Sequence, residues 1–461
     1  MSEEIVDFIK AKKVMAQKIK EGIPNKTPRD VFRIELKIHP IDEIAWIAHQ
    51  KFNVKIFGAN QDSTACIAGV GEALCVKGKS ISSFKKVFST LRLYLKKEYP
   101  YLQWYGGLCF DPKRSSGAWK EFGAYRFVMP RFEIASDASS MIFCCNIVGK
   151  ISSKEQEQIL KQLDSLQTGS DINVENGPAS PAGGRDHSLR ATRRKDYPSK
   201  DQWDKNVDSV LKAITKGSVD KIVLARQTAL NFSKTIDPWN ILRHLFEVTP
   251  NSYHFCFEFA GTAFLGASPE RLYRKYGHAI ISEAIAGTSP RGRGVSQDNA
   301  HKEQLLASLK NNREHSFVVS AINDGLKKIC QDQEHSLNPK ILTLGNGHHL
   351  LTSFEGKLKD RVFDEDIIKA LHPTPAVGGE PSHKAIAMLS KLEGFQRGWY
   401  TGLIGYVGLD WSEFVVGIRS ALVRNKEMTV YAGAGIVEGS EAQEEWQEIE
   451  NKISNFIKLI R

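Results

Sequence analysis

Apolar positions recur along the chain with two periods. Residues 83–99 carry Phe84, Val87, Phe88, Leu91 and Leu95 at the spacing of an amphipathic helix, with Lys85, Arg92 and Lys96 along its wet edge. The same period sets Trp446, Ile449, Ile453, Phe456, Ile457 and Ile460 on one stripe of a C-terminal helix. That helix is expected to start at Ser440, where Ser440 and Gln443 read as a capping box. Further helices are predicted over 201–216 and 298–326, the latter with Ala307, Val318, Ala321 and Ile322 on its core side. Between them lie β-branched and aromatic runs at 52–58, 64–70, 104–112, 122–132 and 221–226. Residues 255–286 read as a meander of strands 255–266, 270–275 and 279–285, turning at 267–269 and 276–278. Residues 399–423 read as two antiparallel strands. Residues 166–200 concentrate Gly, Ser, Asn, Asp and Pro, a loop or linker between a scaffold half (1–165) and a second half (201–461).

Composition narrows the class. With 461 residues, 41% hydrophobic and 25% charged, the chain has the makeup of a soluble globular protein of one large or a few average domains. A net charge of +10 suits an anionic partner. The only dense basic run, residues 190–195, lies in the polar 166–200 segment without a nucleic-acid-binding motif, so no nucleic-acid partner is expected. Seven cysteines at no zinc-like spacing read as free thiols of a reducing compartment. The N-terminus reads as an amphipathic helix, not a leader, and no apolar stretch approaches bilayer length, so a cytoplasmic location and no membrane partner are expected.

Several residues sit awkwardly in their elements. Lys221 opens the apolar run KIVLAR, which makes it either the wet end of a strand or a desolvated amine able to act as a base. Glu270 follows a proline at the start of a strand. Glu314 falls on the core-facing stripe of its helix, where a carboxylate needs a cation, a metal or a proton; a buried salt bridge and a divalent-ion site are both open. Arg419 interrupts the run FVVGIRSALV, and an arginine in a buried strand generally faces a carboxylate. Glu445, Glu448 and Lys452 line the margin of the last stripe, where Glu448 and Lys452 also make an ordinary i,i+4 surface pair. Glycines at 287 and at 433 and 435 offer backbone to an anion.

The runs KIVLAR, SPERL, SEAIAGT, the REH of NNREH, HLLTSFEGKL, LHPTPAVGG, EFVVGIRSALV and YAGAGIVEGSEAQEEWQEIENK occur in that order over residues 200–461. Together they resemble the chorismate-utilising enzymes. WYGGLCFDP and FGAYRFVMPRFEI extend the likeness into the N-terminal half. A lysine in KIVLAR, and alanine where aminodeoxychorismate synthases carry a nucleophilic lysine, is closest to the menaquinone-type isochorismate synthases. The resemblance implies one large α+β unit of two stacked, mainly antiparallel sheets with helices outside, the 166–200 loop being an excursion. It implies Lys221 as general base and Glu270 as general acid in the conversion of chorismate to isochorismate, and Mg²⁺ held by Glu314 and Glu448. Gly287, Thr288, His349, Arg419, Gly435 and Lys452 would bind the substrate, with Glu445 behind the metal ligands. Asn311 stands where some relatives carry an acid three residues before Glu314. No amidotransferase subunit is implied. The alternatives are a salicylate synthase, which also eliminates pyruvate, and a non-catalytic chorismate-binding relative.

Overall fold

The computed structural model describes residues 5–24, 27–111, 117–168, 190–345 and 347–459. Its strands form two large antiparallel sheets, I and II, flanked by helices. Sheet I, of twelve strands, begins at the edge with Val31–Lys37, Met141–Val148, Phe132–Ser136, Cys66–Val70 and Val54–Ala59. It continues through Tyr253–Phe259, Thr262–Ser268, Ser420–Arg424, Glu427–Ile436 and Lys221–Phe232, ending on the short Gly379–Glu380. Sheet II, of ten, has at its centre Gly347–Leu358, Ala279–Ser289, Arg271–Tyr276, Trp411–Val416, Leu403–Val407 and Trp104–Leu108.

Two cores result. Tyr253, Phe255 and Phe257 of sheet I meet Tyr105, Ile404 and Val415 of sheet II in one buried cluster, each large side chain contributing roughly 1.5–3 kcal/mol of transfer free energy. On the outer side Trp203 and Val207 of the helix Lys200–Thr215, and Ile449 and Ile453 of the helix Ala442–Lys458, pack with Leu224 and Ile436 of sheet I. The expected two-sheet α+β architecture is the one observed.

At four places the chain passes directly from a strand of one sheet into a strand of the other, with no helix between. In the C-terminal half, Thr262–Ser268 leaves sheet I and re-enters sheet II as Arg271–Tyr276, with Pro269 and Glu270 as the crossing. Trp411–Val416 leaves sheet II and returns as Ser420–Arg424, with 417–419 as the crossing. The two are stitched together: Ala267 N–H donates to Arg419 O (3.1 Å), Val416 N–H to Glu270 O (3.0 Å) and Ser268 Oγ to Val416 O (2.6 Å). The N-terminal half crosses in the same way at 71–73 and 130–131.

Several sequence expectations change. Residues 399–423 are not two strands but three, Leu403–Val407 and Trp411–Val416 in sheet II and Ser420–Arg424 in sheet I. The 298–326 helix is two, Val295–Ala307 and Leu309–Ile329, because Ser308 is extended and its hydroxyl caps Asn311 N–H. The 255–266 run is a hairpin, turning at Ala260 and Gly261, both at positive φ (50° and 75°), the geometry of a tight two-residue turn. Residues 267–269 are a crossing between sheets, not a turn within one. The last helix starts at Ala442; Ser440 Oγ accepts from Val437 N–H instead of capping it. Within 166–200, Ala191–Tyr197 is a strand on Lys221–Phe232, whose side chains are mostly exposed and polar and so carry no apolar period. Residues 169–189 of that segment lie outside the described residues.

Candidate active site

The C-terminal crossings border an open cavity whose empty space, counted out into its solvent-filled mouth, is about 700 Å³. Glu270 and Arg419 enter it from the two crossings, Val223 and Gly435 from sheet I, Ile285, Gly287 and Thr288 from sheet II. Glu314 reaches it from the helix Leu309–Ile329, and Glu448 and Lys452 from the helix Ala442–Lys458. His349 completes one wall. Residues predicted from six separate stretches of sequence are thus brought to one place.

Lys221 is the first residue of its strand and is fully buried, which removes the wet-end reading. Its Nζ lies 3.0 Å from Glu314 Oε1 yet has no hydrogen-bond partner among the described groups. Glycine at 435 makes room for this pair: a Cβ there would fall 2.4 Å from Glu314 Oε1 and 3.0 Å from Lys221 Cε. The residue is needed for what its missing side chain admits. Glu270 is 3% exposed. Burial pushes its carboxyl up to about 8, Glu283 reinforcing the rise while Lys221 and Lys452 oppose it. A carboxyl in that condition carries a proton near neutrality and can donate it.

The cationic side is built from Arg419 and its neighbours. Arg419 is not within a strand; it holds φ +51° in the crossing, where the backbone turns its side chain out of the sheet. Its Nη2 donates to His349 Nε2 (3.2 Å), and His349 Nδ1 donates to Gly287 O (3.1 Å), a pattern that fixes a neutral tautomer. Burial, with Arg419 and Lys452 beside it, holds His349 down to about 3. Lys452 donates to Gly433 O (2.8 Å) and pairs with Glu448 (2.5 Å). Gly287 has φ +74°, as glycine permits, at an irregularity of the ladder with Gly347–Leu358. Thr288 N–H is not free for a ligand, since it donates to Asn311 Oδ1 (3.2 Å).

Glu314 and Glu448 are an all-oxygen donor pair on one cavity, and each is matched by a lysine in the structure. Glu445 is buried against Lys310 (2.8 Å), and burial followed by the charge of Glu448 raises its pKa. It does not face solvent. Among the described residues no group of three or more His, Cys, Asp or Glu converges as a closed metal cage. Two carboxylates with no nitrogen or sulfur donor fit Mg²⁺, which keeps waters and takes few protein ligands.

Sequence reasoning missed several lining residues: Tyr400 and Thr401, ahead of the strand Leu403–Val407, and Ile418; Ala376 and Val377 belong to the run LHPTPAVGG, which reads from sequence as a segment over a site. It also missed Glu283 and Arg271 behind Glu270, and the role of His315, whose Nε2 bonds Thr352 Oγ1 (2.8 Å). His315 is held down to about 4 by burial, then by Lys221. The REH and SPERL runs already marked His315 and Arg271 without giving either a task.

A family model described as "Chorismate binding enzyme" matches residues 16–461. The chain is 32% identical over 403 residues to the chloroplastic isochorismate synthase of Catharanthus roseus, covering 86% of this chain and 68% of that one. It is 29% identical over 436 residues to the isochorismate synthase MenF of Haemophilus influenzae, covering 94% and 93%. The solved structure of MenF, the menaquinone-specific isochorismate synthase from Escherichia coli, superposes with a TM-score of 0.85 at 28% identity, covering 98% of this chain and 99% of that one. The chain belongs to the chorismate-binding enzymes. No helix among the described residues is long and apolar enough to cross a membrane.

Proposed function

We propose that this chorismate-binding enzyme is an isochorismate synthase, converting chorismate to isochorismate by adding water at carbon 2 and releasing the carbon 4 hydroxyl. The observation that carries the reading is a buried, proton-holding carboxyl on the cavity, Glu270, with the buried amine of Lys221 acting on it from behind the lining residues Glu314 and Gly435, beside a cationic wall of Arg419 and Lys452.

Lys221 takes a proton from the attacking water, whose oxygen bonds to carbon 2 as the ring double bond shifts. Glu270 gives its proton to the hydroxyl leaving carbon 4, which departs as water. One water enters and one leaves, so the reaction is an isomerisation, and the proton gained by Lys221 balances the one lost by Glu270. Arg419, oriented by His349, and Lys452 bind the substrate carboxylates. Glu314 and Glu448 would hold Mg²⁺, which when bound offsets the charge of a substrate carboxylate. Glu445, clamped by Lys310, orients Glu448 from behind. The seven free thiols support a cytoplasmic location.

The test is incubation of purified protein with chorismate and Mg²⁺, followed by separation of products. Isochorismate alone is expected. Salicylate with pyruvate would make the protein a salicylate synthase, and unchanged chorismate would make it a non-catalytic relative.

A further inference from the structure

Behind Glu270, away from the cavity, lies a cluster of buried charge that the reaction scheme does not use. Arg271, the residue after the acid, places Nη1 3.3 Å from Glu283 Oε1 and Nε 3.0 Å from Glu413 Oε1. Nε also donates to Tyr253 OH (2.7 Å), and Tyr406 OH donates to Glu413 Oε2 (2.8 Å). One guanidinium therefore faces two carboxylates. Glu413 takes hydroxyl donors from both sheets, whereas Glu283 Oε2 is buried with no hydrogen-bond partner. Arg274 is the other cation acting on Glu283.

Glu283 lies on the sheet II strand Ala279–Ser289, two residues before Ile285, which lines the cavity. The alternation of a strand sets both on one face, so Glu283 stands just beyond the cavity wall and does not line it. Its carboxylate also engages the backbone N–H of Arg271, on the peptide that follows Glu270. We propose that Glu283 is a positioning residue for the general acid: held by Arg271, a guanidinium it shares with Glu413, it presents a buried, only partly compensated negative charge to Glu270 and so helps keep the acid loaded with its proton until the substrate hydroxyl takes it.

The other charged groups facing Glu270 work against this. Lys221, from its strand, and Lys452, from the last helix, both favour the ionised form. Arg419, Glu314, Glu448 and neutral His349 share the cavity. Burial is the main reason Glu270 keeps its proton; a buried negative charge on the far side offsets part of the pull of Lys221 and Lys452 against it. Glu283 is the acidic group opposing them.

The inference rests on Glu270 as the acid, and the experiment separates the two. kcat/KM for chorismate is measured against pH in wild type, Glu283→Gln, Glu283→Asp and Glu270→Gln, with the infrared band of the protonated carboxyl followed in parallel. Activity needs protonated Glu270, so it falls as pH rises through the pKa of that group. Removing the neighbouring charge should bring this alkaline limb down by about one pH unit, costing roughly tenfold above the limb and little at pH 6. The Asp variant, its charge drawn back by one methylene, should shift the limb in the same direction by less. The carboxyl band, absent in Glu270→Gln, should titrate at the same lowered pH. Limbs at the wild-type position in both Glu283 variants, with the rate reduced evenly across pH, would overturn the inference and leave Glu283 structural. Should the Gln variant not fold, the Asp limb and its band decide. If Glu270→Gln retains turnover and the alkaline limb, the acid assignment itself falls and this inference with it.

Discussion

The two halves of the molecule cross between the sheets in the same manner and use the junction differently. At the N-terminal crossings Gly71 turns at φ +70°, and Asn146 closes over the second crossing by donating from Nδ2 to Pro130 O (2.9 Å). The buried acid there, Glu133, is in contact with Arg33, which also donates to Asn146 Oδ1 (2.8 Å) and Cys144 Sγ (3.1 Å). At the C-terminal crossings the buried acid, Glu270, opens on a cavity, and the cations Lys221 and Lys452 act on it across space. Burial raises the proton affinity of both acids. A guanidinium packed against the carboxylate makes a structural tie; amines that act on the acid without an ion pair, Lys452 from the cavity wall and Lys221 from behind it, leave a group able to trade its proton. The same chain path gives a joint in one half and a reaction chamber in the other.

The largest expected effect falls on the chamber. Lys221→Ala should lower turnover about 10²- to 10⁴-fold, the range of a positioned general base, while leaving Mg²⁺-dependent ligand binding largely in place. Steady-state kinetics with calorimetric binding would check this, and loss of both together would mark Lys221 as structural. On the joint the effect should be on stability. Arg33→Met leaves Glu133 buried without its cation and should cost about 3–5 kcal/mol in chemical denaturation, with kcat of the folded fraction unchanged. A change in kcat from this variant would show that the two crossings are coupled.

The comparison sharpens with pH. The carboxyl of Glu270 stands at about 8 in the folded protein against an ordinary 4.5. A group with a raised folded pKa gives its full stability below 4.5 and loses it as pH rises to about 8. Glu270→Gln should therefore match wild type in stability near pH 4 and exceed it increasingly up to pH 8, by a few kcal/mol at the plateau, while losing turnover. Denaturation curves at several pH values test the sign; a difference that does not grow with pH would mean that Glu270 is ionised in the folded state. The wild-type kcat/KM should fall above about pH 8 for the same reason.

The sequence held the site more fully than the fold that builds it. Lys221, Glu314 and Arg419 were recognisable because a charge on an apolar stripe is costly enough to need a reason. What periodicity could not reveal was the crossing. A strand that changes sheets keeps its apolar alternation, so 414–423 reads as one continuous run and the pattern sets Arg419 in a strand it does not occupy. Glu283 was legible only as an acid ahead of Gly287, since its meaning depends on Arg271 reaching it from the neighbouring strand. Gly435 was picked for its backbone, although the structure needs the space beside it for Lys221 and Glu314. Sequence motifs named the participants; packing distances show which of them meet.

The smallest effect tests how finely the chamber is supported. Asn311 Oδ1 holds Thr288 N–H at 3.2 Å and its Nδ2 donates to Ser308 Oγ (2.9 Å), tying the Gly287 turn to the break between the helices Val295–Ala307 and Leu309–Ile329. The side chain stands one helical turn before Glu314, where an acid would add a third carboxylate to that side of the cavity. Asn311→Asp keeps the acceptor for Thr288 N–H and exchanges the donor to Ser308 for a charge, whereas Asn311→Ala loses both bonds. If the turn serves to position substrate, Asn311→Ala should raise KM for chorismate several-fold with kcat within about twofold, in keeping with the loss of roughly 1 kcal/mol per neutral hydrogen bond. Asn311→Asp should instead keep KM and tighten the apparent affinity for Mg²⁺, read by titration of the free enzyme. Equal behaviour of the two variants would show that the position supports the helix break alone and that the Gly287 turn holds its shape without it.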